Sequence, residues 1–174
     1  MTRGQFFIVL IFTVALVLAG FGLFYRYTQT HQVIDFWGPE GSQSISSPDQ
    51  VQLCKLLPWQ AESSDLSASS TISIENQKYI IAKSKDVTKA RGFINASSAL
   101  IMNRNYDWNP RQTDPDCTPA WTYALLYHRG ESTTVVAISM NCGWVYSKEA
   151  NQVAGINKSI TKGLARLFQE QLGS

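Results

Sequence analysis

Five oxygen-bearing side chains between residues 103 and 114 have the spacing of a calcium-binding loop. They fall at positions 1, 3, 5, 7 and 12 of a loop that follows a predicted helix, and they are Asn103, Asn105, Asp107, Asn109 and Asp114. Trp108 stands where an EF-hand loop needs glycine, and only two of the five side chains are carboxylates. The sequence therefore favours a turn-rich connector whose Asn and Asp side chains bond their own backbone, with calcium as the alternative.

The same stretch contains three aspartates, Asp107, Asp114 and Asp116, which could supply an acid and a base. Paired carboxyl groups catalyse the hydrolysis of glycosidic bonds when they lie at defined distances, but the sequence of one loop does not indicate the distance between its carboxyl groups. The chain has no GxSxG, HExxH, Walker or dinucleotide-binding motif. We predict no catalytic residue and no cofactor.

Cysteine spacing predicts one disulfide. The strongest hairpin pattern turns around Gly130, so facing positions sum to about 261 and Cys142 falls within two residues of Cys117. A Cys117–Cys142 bond would close the open end of this hairpin, while three free buried thiols are the alternative. Cys54 is then a small core side chain. His128 lies about 30 Å along the strand from Cys142, which excludes a Cys–His catalytic pair in the hairpin.

Four aromatic residues lie near the acidic loop or the open end of the main hairpin. If exposed, they would form a binding patch for a peptide or a sugar, but aromatic side chains are more often buried in the core. The four are Tyr106, Trp108, Trp121 and Trp144.

The elements that must position these residues are hairpins and two helices. Residues 51–57 read as a strand, two β-rich runs after Thr71 as a hairpin, and residues 121–145 as a second hairpin. Apolar spacing predicts one helix capped by Asp86 and ending near Asn103, and another from Asn157 to Gly173. Residues 32–37 read as a short strand or stalk that ends in a turn. We expect an α+β domain in which antiparallel hairpins are covered by two helices.

Residues 6–25 contain no charge and are long enough to cross a bilayer as a helix. A cleaved signal ending at Ala19 is the alternative, but the apolar run continues past that residue. Arg3 precedes the run, and no Lys or Arg occurs between Tyr27 and Cys54. We therefore predict a signal anchor with its amino terminus in the cytoplasm and its body outside the cell membrane.

The net charge is distributed unevenly along the chain. Arg3 and Arg26 account for the whole net charge of +2, because the remaining chain carries 13 basic and 13 acidic residues. A neutral body lacks the basic surface that nucleic acid requires. The predicted organisation is an n-region (1–5), a transmembrane anchor (6–25), a juxtamembrane stalk and linker (26–50) and an extracytoplasmic α+β domain (51–174).

Several short motifs that are spread over the body resemble those of a protein family. They are Phe36-Trp37-Gly38-Pro39-Glu40, Gly92-Phe93-Ile94-Asn95-Ala96 with Ala99-Leu100, Tyr106-Asp107-Trp108, and Trp121-Thr122-Tyr123-Ala124-Leu125. On these the chain resembles an uncharacterised family of bacterial signal-anchored envelope proteins. The resemblance implies a bacterial envelope location and transfers no catalytic or binding residue.

These features predict a non-enzymatic envelope module, held to the lipid bilayer through residues 6–25, that binds a protein partner or helps to assemble a complex. The alternative is a small envelope hydrolase or sugar-binding enzyme that uses the Asp107 to Asp116 loop and Trp108.

Overall fold

A computed structural model describes residues 3–59 and 71–173, without the side chains of residues 3, 4, 6, 8, 9 and 26–30. The chain forms two compact units, Met1–Gln32 and Val33–Ser174. The first helix, α1 (Arg3–Ser46), begins in the first unit and ends in the second.

The part of α1 in the first unit is apolar and exposed. Every residue from Leu10 to Tyr25 is exposed, and large hydrophobic side chains predominate among them. Within the described residues, no helix meets the combined length and hydropathy of a membrane span, so the predicted transmembrane helix over residues 6–25 is not confirmed. Phe6, Ile8 and Val9 of that range lie outside the described side chains.

The part of α1 in the second unit corrects the expected stalk. Residues 32–37 are helical, and Val33, Phe36 and Trp37 are buried in the domain core. These residues are separated by three positions and then by one, which places them on one face of a helix. The β-branched and aromatic composition of the segment obscured this helical spacing in the sequence. The compact unit therefore begins at Val33, within the expected linker 26–50.

Gly38 interrupts α1. Its φ of 71° and ψ of 162° are not helical, and glycine adopts a positive φ without the steric cost that a Cβ adds. Pro39 follows the break, where its missing N–H costs no helical hydrogen bond. The predicted break at Gly38-Pro39 is present, but it separates two helical segments.

In the part of the chain that the structure describes there are eight strands: β1 (Gln50–Pro58), β2 (Thr71–Ile74), β3 (Gln77–Asp86), β4 (Tyr106–Asp107), β5 (Trp121–Arg129), β6 (Ser132–Ser139), β7 (Trp144–Ser147) and β8 (Gln152–Ile156). They form one antiparallel sheet in the order β2-β3-β1-β5-β6-β7-β8-β4. The α+β class is confirmed.

Turn chemistry sets the pairing of both predicted hairpins. β5 and β6 face each other from Arg129↔Ser132 to Tyr123↔Ile138, which is the predicted register. Glu75 and Asn76 form the two-residue turn between β2 and β3, and both have positive φ, as primed hairpin turns require.

The helices α2 (Phe93–Leu100) and α4 (Lys158–Leu172) cover one face of the sheet. The short helix α3 (Pro110–Thr113) packs on β8, and a 3₁₀ turn lies at Asn103–Asn105. α2 begins later than predicted because Asp86 does not cap it: the Asp86 carboxylate accepts hydrogen bonds from the backbone N–H and hydroxyl of Thr88. Leu164, Leu167 and Phe168 of α4 are buried against the helix-facing side of the sheet.

A second cluster fills the opposite face. It contains Cys54, Leu56, Ile72, Ile74, Tyr79, Trp121, Ala124, Ala137, Trp144 and Tyr146. Glu75, at the β2–β3 turn, forms an ion pair with Arg111 of α3, which follows the strand at the other edge of the sheet. Because the pair joins the two edges, the sheet must curl around the second cluster, which explains how this face is buried without a covering helix.

Candidate functional site

The predicted disulfide between Cys117 and Cys142 is confirmed. Their Cα atoms lie 5.8 Å apart, and the bond closes the open end of the β5–β6 hairpin. Asn141 supports the same end: its amide donates to the Thr118 carbonyl at 2.8 Å, and its oxygen accepts the Ala120 N–H at 3.0 Å. The disulfide thus anchors the connection before β5 to the β6–β7 turn.

Cys54 is unsuited to nucleophilic chemistry. It is fully buried on β1, and burial raises the pKa of its thiol to about 11, so the reactive thiolate is scarce at neutral pH. Cys54 faces Ala124, whereas His128 lies four residues further along β5, about 13 Å away at the usual strand rise. The His128 ring nitrogen Nδ1 instead contacts the Thr133 hydroxyl at 2.9 Å.

The four aromatic residues of the expected binding patch fall into two groups within the core. Trp121 and Trp144 are buried in the second cluster. Tyr106 and Trp108 are partly buried and stack with ring centroids 4.7 Å apart, packed against the helix-facing core. They do not form one exposed aromatic surface.

Tyr106 also belongs to a hydrogen-bonded group that locks α1 to the rest of the domain. The Trp37 indole N–H reaches the Leu100 carbonyl at 3.0 Å and the Tyr106 hydroxyl at 3.1 Å. The Tyr106 hydroxyl donates to the same carbonyl. Burial raises the pKa of Tyr106, so this hydroxyl remains a donor at physiological pH.

The five oxygen-bearing residues of the calcium hypothesis are divided among the 3₁₀ turn, β4 and the two ends of α3. The Asn105 amide donates to the Ala99 carbonyl at 2.8 Å, and Asp107 Oδ1 accepts the Asn109 N–H at 3.0 Å. Such bonds to nearby backbone are those expected of the turn-rich connector. Among the described residues, no three His, Cys, Asp or Glu side chains gather into a metal-binding group. The five candidates include only two side chains of these types, so calcium stays a prediction.

Two grooves flank this connector. The acidic-loop groove, of about 500 Å³, is lined among others by Arg104, Asp107, Asp114, Trp144 and Lys158. The carboxamide groove, of about 410 Å³, lies on the other side of α3 and is lined by Glu75, Trp108, Asn109, Pro110, Arg111, Gln112, Asn151, Gln152 and Val153. Both volumes fall in the range typical of small-ligand sites.

Close packing fixes the connector between the grooves. A Cβ on Gly155 of β8 would lie 3.1 Å from the Asp107 Cβ and 3.3 Å from the Pro110 Cβ. Glycine therefore lets β4 and the start of α3 approach β8 directly. Asp107 and Asp114 both line the acidic-loop groove, but one Asp107 oxygen is already bonded within the connector.

Sequence reasoning identified the connector and missed the other side of the carboxamide groove. Glu75 and Arg111 are 36 positions apart, and Asn151 and Gln152 belong to a third segment. The turn residues Glu75-Asn76 and Asn151, which have positive φ, were the available local signal.

Comparison with known protein families, with curated proteins and with solved structures finds no match to this chain. The resemblance to signal-anchored envelope proteins therefore stays a prediction.

Proposed function

We propose that this chain is a single-pass envelope protein, anchored through residues 6–25, whose extracytoplasmic domain is a non-enzymatic binding or assembly module. The observation that carries the proposal is the exposure of large apolar side chains on every side of α1 before residue 26. Leu16, Val17 and Leu18 are each more than half exposed although consecutive helical residues point about 100° apart.

Lipid accounts for this surface better than water. The exposed large apolar residues of the segment are Phe7, Leu10, Ile11, Phe12, Val14, Leu16, Val17, Leu18, Phe21, Leu23, Phe24 and Tyr25. Full burial is worth about 1.5–3 kcal/mol for each side chain, and these twelve are 47–72% exposed, so removing them from water is worth roughly 11 to 23 kcal/mol. A bilayer shields all sides of the helix from water at once, and the helix satisfies its backbone N–H and C=O groups there with internal hydrogen bonds.

Two observations support an extracytoplasmic domain. Arg3 and the terminal amine lie before the apolar run and Arg26 follows it, but residues 27–54 contain no Lys or Arg while Asp35, Glu40 and Asp49 occur there, which suits a translocated carboxyl-terminal side. The Cys117–Cys142 disulfide is typical of an oxidising compartment outside the cytoplasm.

A binding role agrees with the chemistry of the domain. The free thiol is buried and protonated, and the described residues contain no metal-binding group, whereas two grooves of ligand size flank the connector. We propose a partner in the envelope, either a protein that the module helps to assemble or a ligand that it binds.

Anchoring is tested by placing several charges in the apolar segment. Replacing Phe12, Val14, Leu16 and Leu18 together by Asp should release the full chain from membranes washed with alkaline carbonate, because each carboxylate near the centre of a span costs about 2.5–3.5 kcal/mol, so that four cost roughly 10–14 kcal/mol besides the apolar surface that is lost. Ile94→Asp is the control and should leave the chain bound, since Ile94 is also apolar and 76% exposed but lies on α2 of the domain. Release of the unmodified chain by the carbonate wash would overturn the anchor.

One observation favours a second candidate, a small envelope hydrolase: Asp107 and Asp114 line the same groove. Turnover of a hydrolase substrate by the full chain, abolished by Asp114→Asn while the melting temperature is unchanged, would establish this activity and contradict the non-enzymatic role. Absence of turnover across glycoside, peptide and ester substrates would dismiss it.

A further inference from the structure

We infer that the carboxamide groove binds a short, neutral saccharide. This inference rests on the proposed binding role and names its ligand class. It stands on three properties of the groove, which are the supply of hydrogen-bonding groups, the absence of unbalanced charge and the presence of an aromatic wall.

Four carboxamides line the groove from two sides. Asn109 precedes α3 and Gln112 lies within it, whereas Asn151 belongs to the β7–β8 turn and Gln152 is the first residue of β8. A carboxamide offers two donors and an acceptor, and a sugar hydroxyl also both donates and accepts, so the two groups can pair in either direction. Across the described part of the chain, the carboxamides of Asn109, Gln112 and Gln152 bond to no protein group and are available to a ligand.

Asn151 is held in place for such a ligand. The Tyr146 hydroxyl donates to its Oδ1 at 2.9 Å, which leaves the amide N–H donors free to face the groove. Asn151 has a φ of 51°, in the left-handed region that Asn adopts more readily than most residues. Binding to a fixed group costs less conformational entropy than binding to a mobile one.

The charges of the groove are balanced. Of the residues that the structure describes, Glu75 and Arg111 are the only charged ones that line it, and they form an ion pair with each other. The second oxygen of Glu75 accepts the Trp121 indole N–H at 3.2 Å. Arg111 is the one cation among the described lining residues, and a phosphate or sulfate group would have to compete with Glu75 for it, so an anionic ligand is disfavoured relative to a neutral one.

Trp108 supplies the apolar surface. It lines the groove while Tyr106 and Phe36 pack against its ring, with centroids at 4.7 and 5.6 Å. A rigid aromatic ring beside several polar groups suits the C–H face of a sugar ring.

An extended peptide fits the groove less well. β8 reaches the groove with Gln152 and Val153, and β4 pairs only with Gly155 and Ile156. The outer edge of β8 left unpaired by β4 is three residues long, shorter than the five or six of a typical strand. Pairing by strand addition would therefore be brief, which favours the saccharide.

Titration of the full chain with neutral oligosaccharides tests this inference. The protein is held in a zwitterionic detergent, because a sugar-based detergent would compete, and is titrated with cellotetraose, maltotetraose and tetra-N-acetylchitotetraose to about 10 mM, well into the weak millimolar range. Saturation-transfer NMR and tryptophan fluorescence should detect binding of at least one. No binding of any of the three, or binding of a tetra-alanine peptide in their place, would overturn the inference.

Variants locate the site. Asn109→Ala combined with Gln112→Ala removes two exposed carboxamides and should weaken binding by about tenfold or more with the melting temperature unchanged. Gln152→Ala, on the opposite side of the groove, should weaken binding independently. Gln169→Ala, an exposed Gln on α4, is the matched control and should bind normally. Unweakened binding by the Asn109, Gln112 and Gln152 variants would place the sugar elsewhere and contradict the inference. Membrane retention is measured separately, so failure here leaves the anchor intact.

Discussion

Breaking the disulfide should cost the domain much of its stability. Cys117 and Cys142 are 25 positions apart. The loop-closure relation for a link of that length gives about 3.5 kcal/mol at 25 °C, which the unfolded chain regains as conformational freedom when the bond is removed. Marginally stable domains have only about 5–15 kcal/mol in total, so the loss is a large fraction.

The perturbation is Cys117→Ser combined with Cys142→Ser, a small change at two partly buried positions. Urea unfolding of the full chain is followed by tryptophan fluorescence, which reports on the second unit because all five tryptophans lie beyond residue 32. With a urea slope of about 2 kcal/mol per molar, the midpoint should fall by about 1.7 M.

Reduction provides the matched control. The unmodified chain in excess reductant should unfold at the midpoint of the double variant, and reductant should leave the double variant unchanged. A loss of less than about 1 kcal/mol would refute the reasoning. It would mean that the hydrogen bonds of Asn141 hold the end of the hairpin without help from the covalent link.

Two further predictions concern the core. Burial raises the pKa of the Cys54 thiol to about 11 in the folded chain, whereas the unfolded chain loses this proton near pH 9.0. The free energy of unfolding should therefore fall between about pH 9 and pH 11, with a contribution from Cys54 of up to about 1.4 kcal/mol per pH unit. Cys54→Ala should remove this contribution when urea titrations are repeated across the pH range. An unchanged dependence on pH would contradict it. Gly155→Ala should cost about 1–3 kcal/mol because its Cβ would crowd Asp107 and Pro110, whereas Gly163→Ala, on exposed α4 with no atom within 4 Å, should be neutral or stabilising. Equal effects of the two substitutions in the same urea assay would refute the crowding.

Local chemistry made part of the fold predictable. The turn at Gly130 determines which residues of β5 and β6 face each other, and this register brings Cys117 near Cys142. Both features depend on residues close to one turn, so strand geometry alone predicts them. The α4 helix was predictable for the same reason, because its apolar spacing is regular over four turns.

Long-range contacts limited the rest. Residues 33–37 are helical because their buried face meets a core assembled from distant segments, and tertiary packing overrides the β preference of their composition. The curl of the sheet brings Glu75 into contact with Arg111, which lies 36 positions away, and no local pattern indicates this contact. The carboxamide groove was missed because exposed Asn and Gln residues in three segments carry no periodic signal.

The sidedness of the domain is tested most directly by labelling one engineered thiol. Glu131→Cys places it in the exposed β5–β6 turn of the full chain, while buried Cys54 and the disulfide leave little background. A membrane-impermeant maleimide is applied to bacterial cells whose outer membrane has been made permeable. We expect labelling of intact cells to equal that of lysed cells. Labelling that occurs only after lysis would contradict an extracytoplasmic domain.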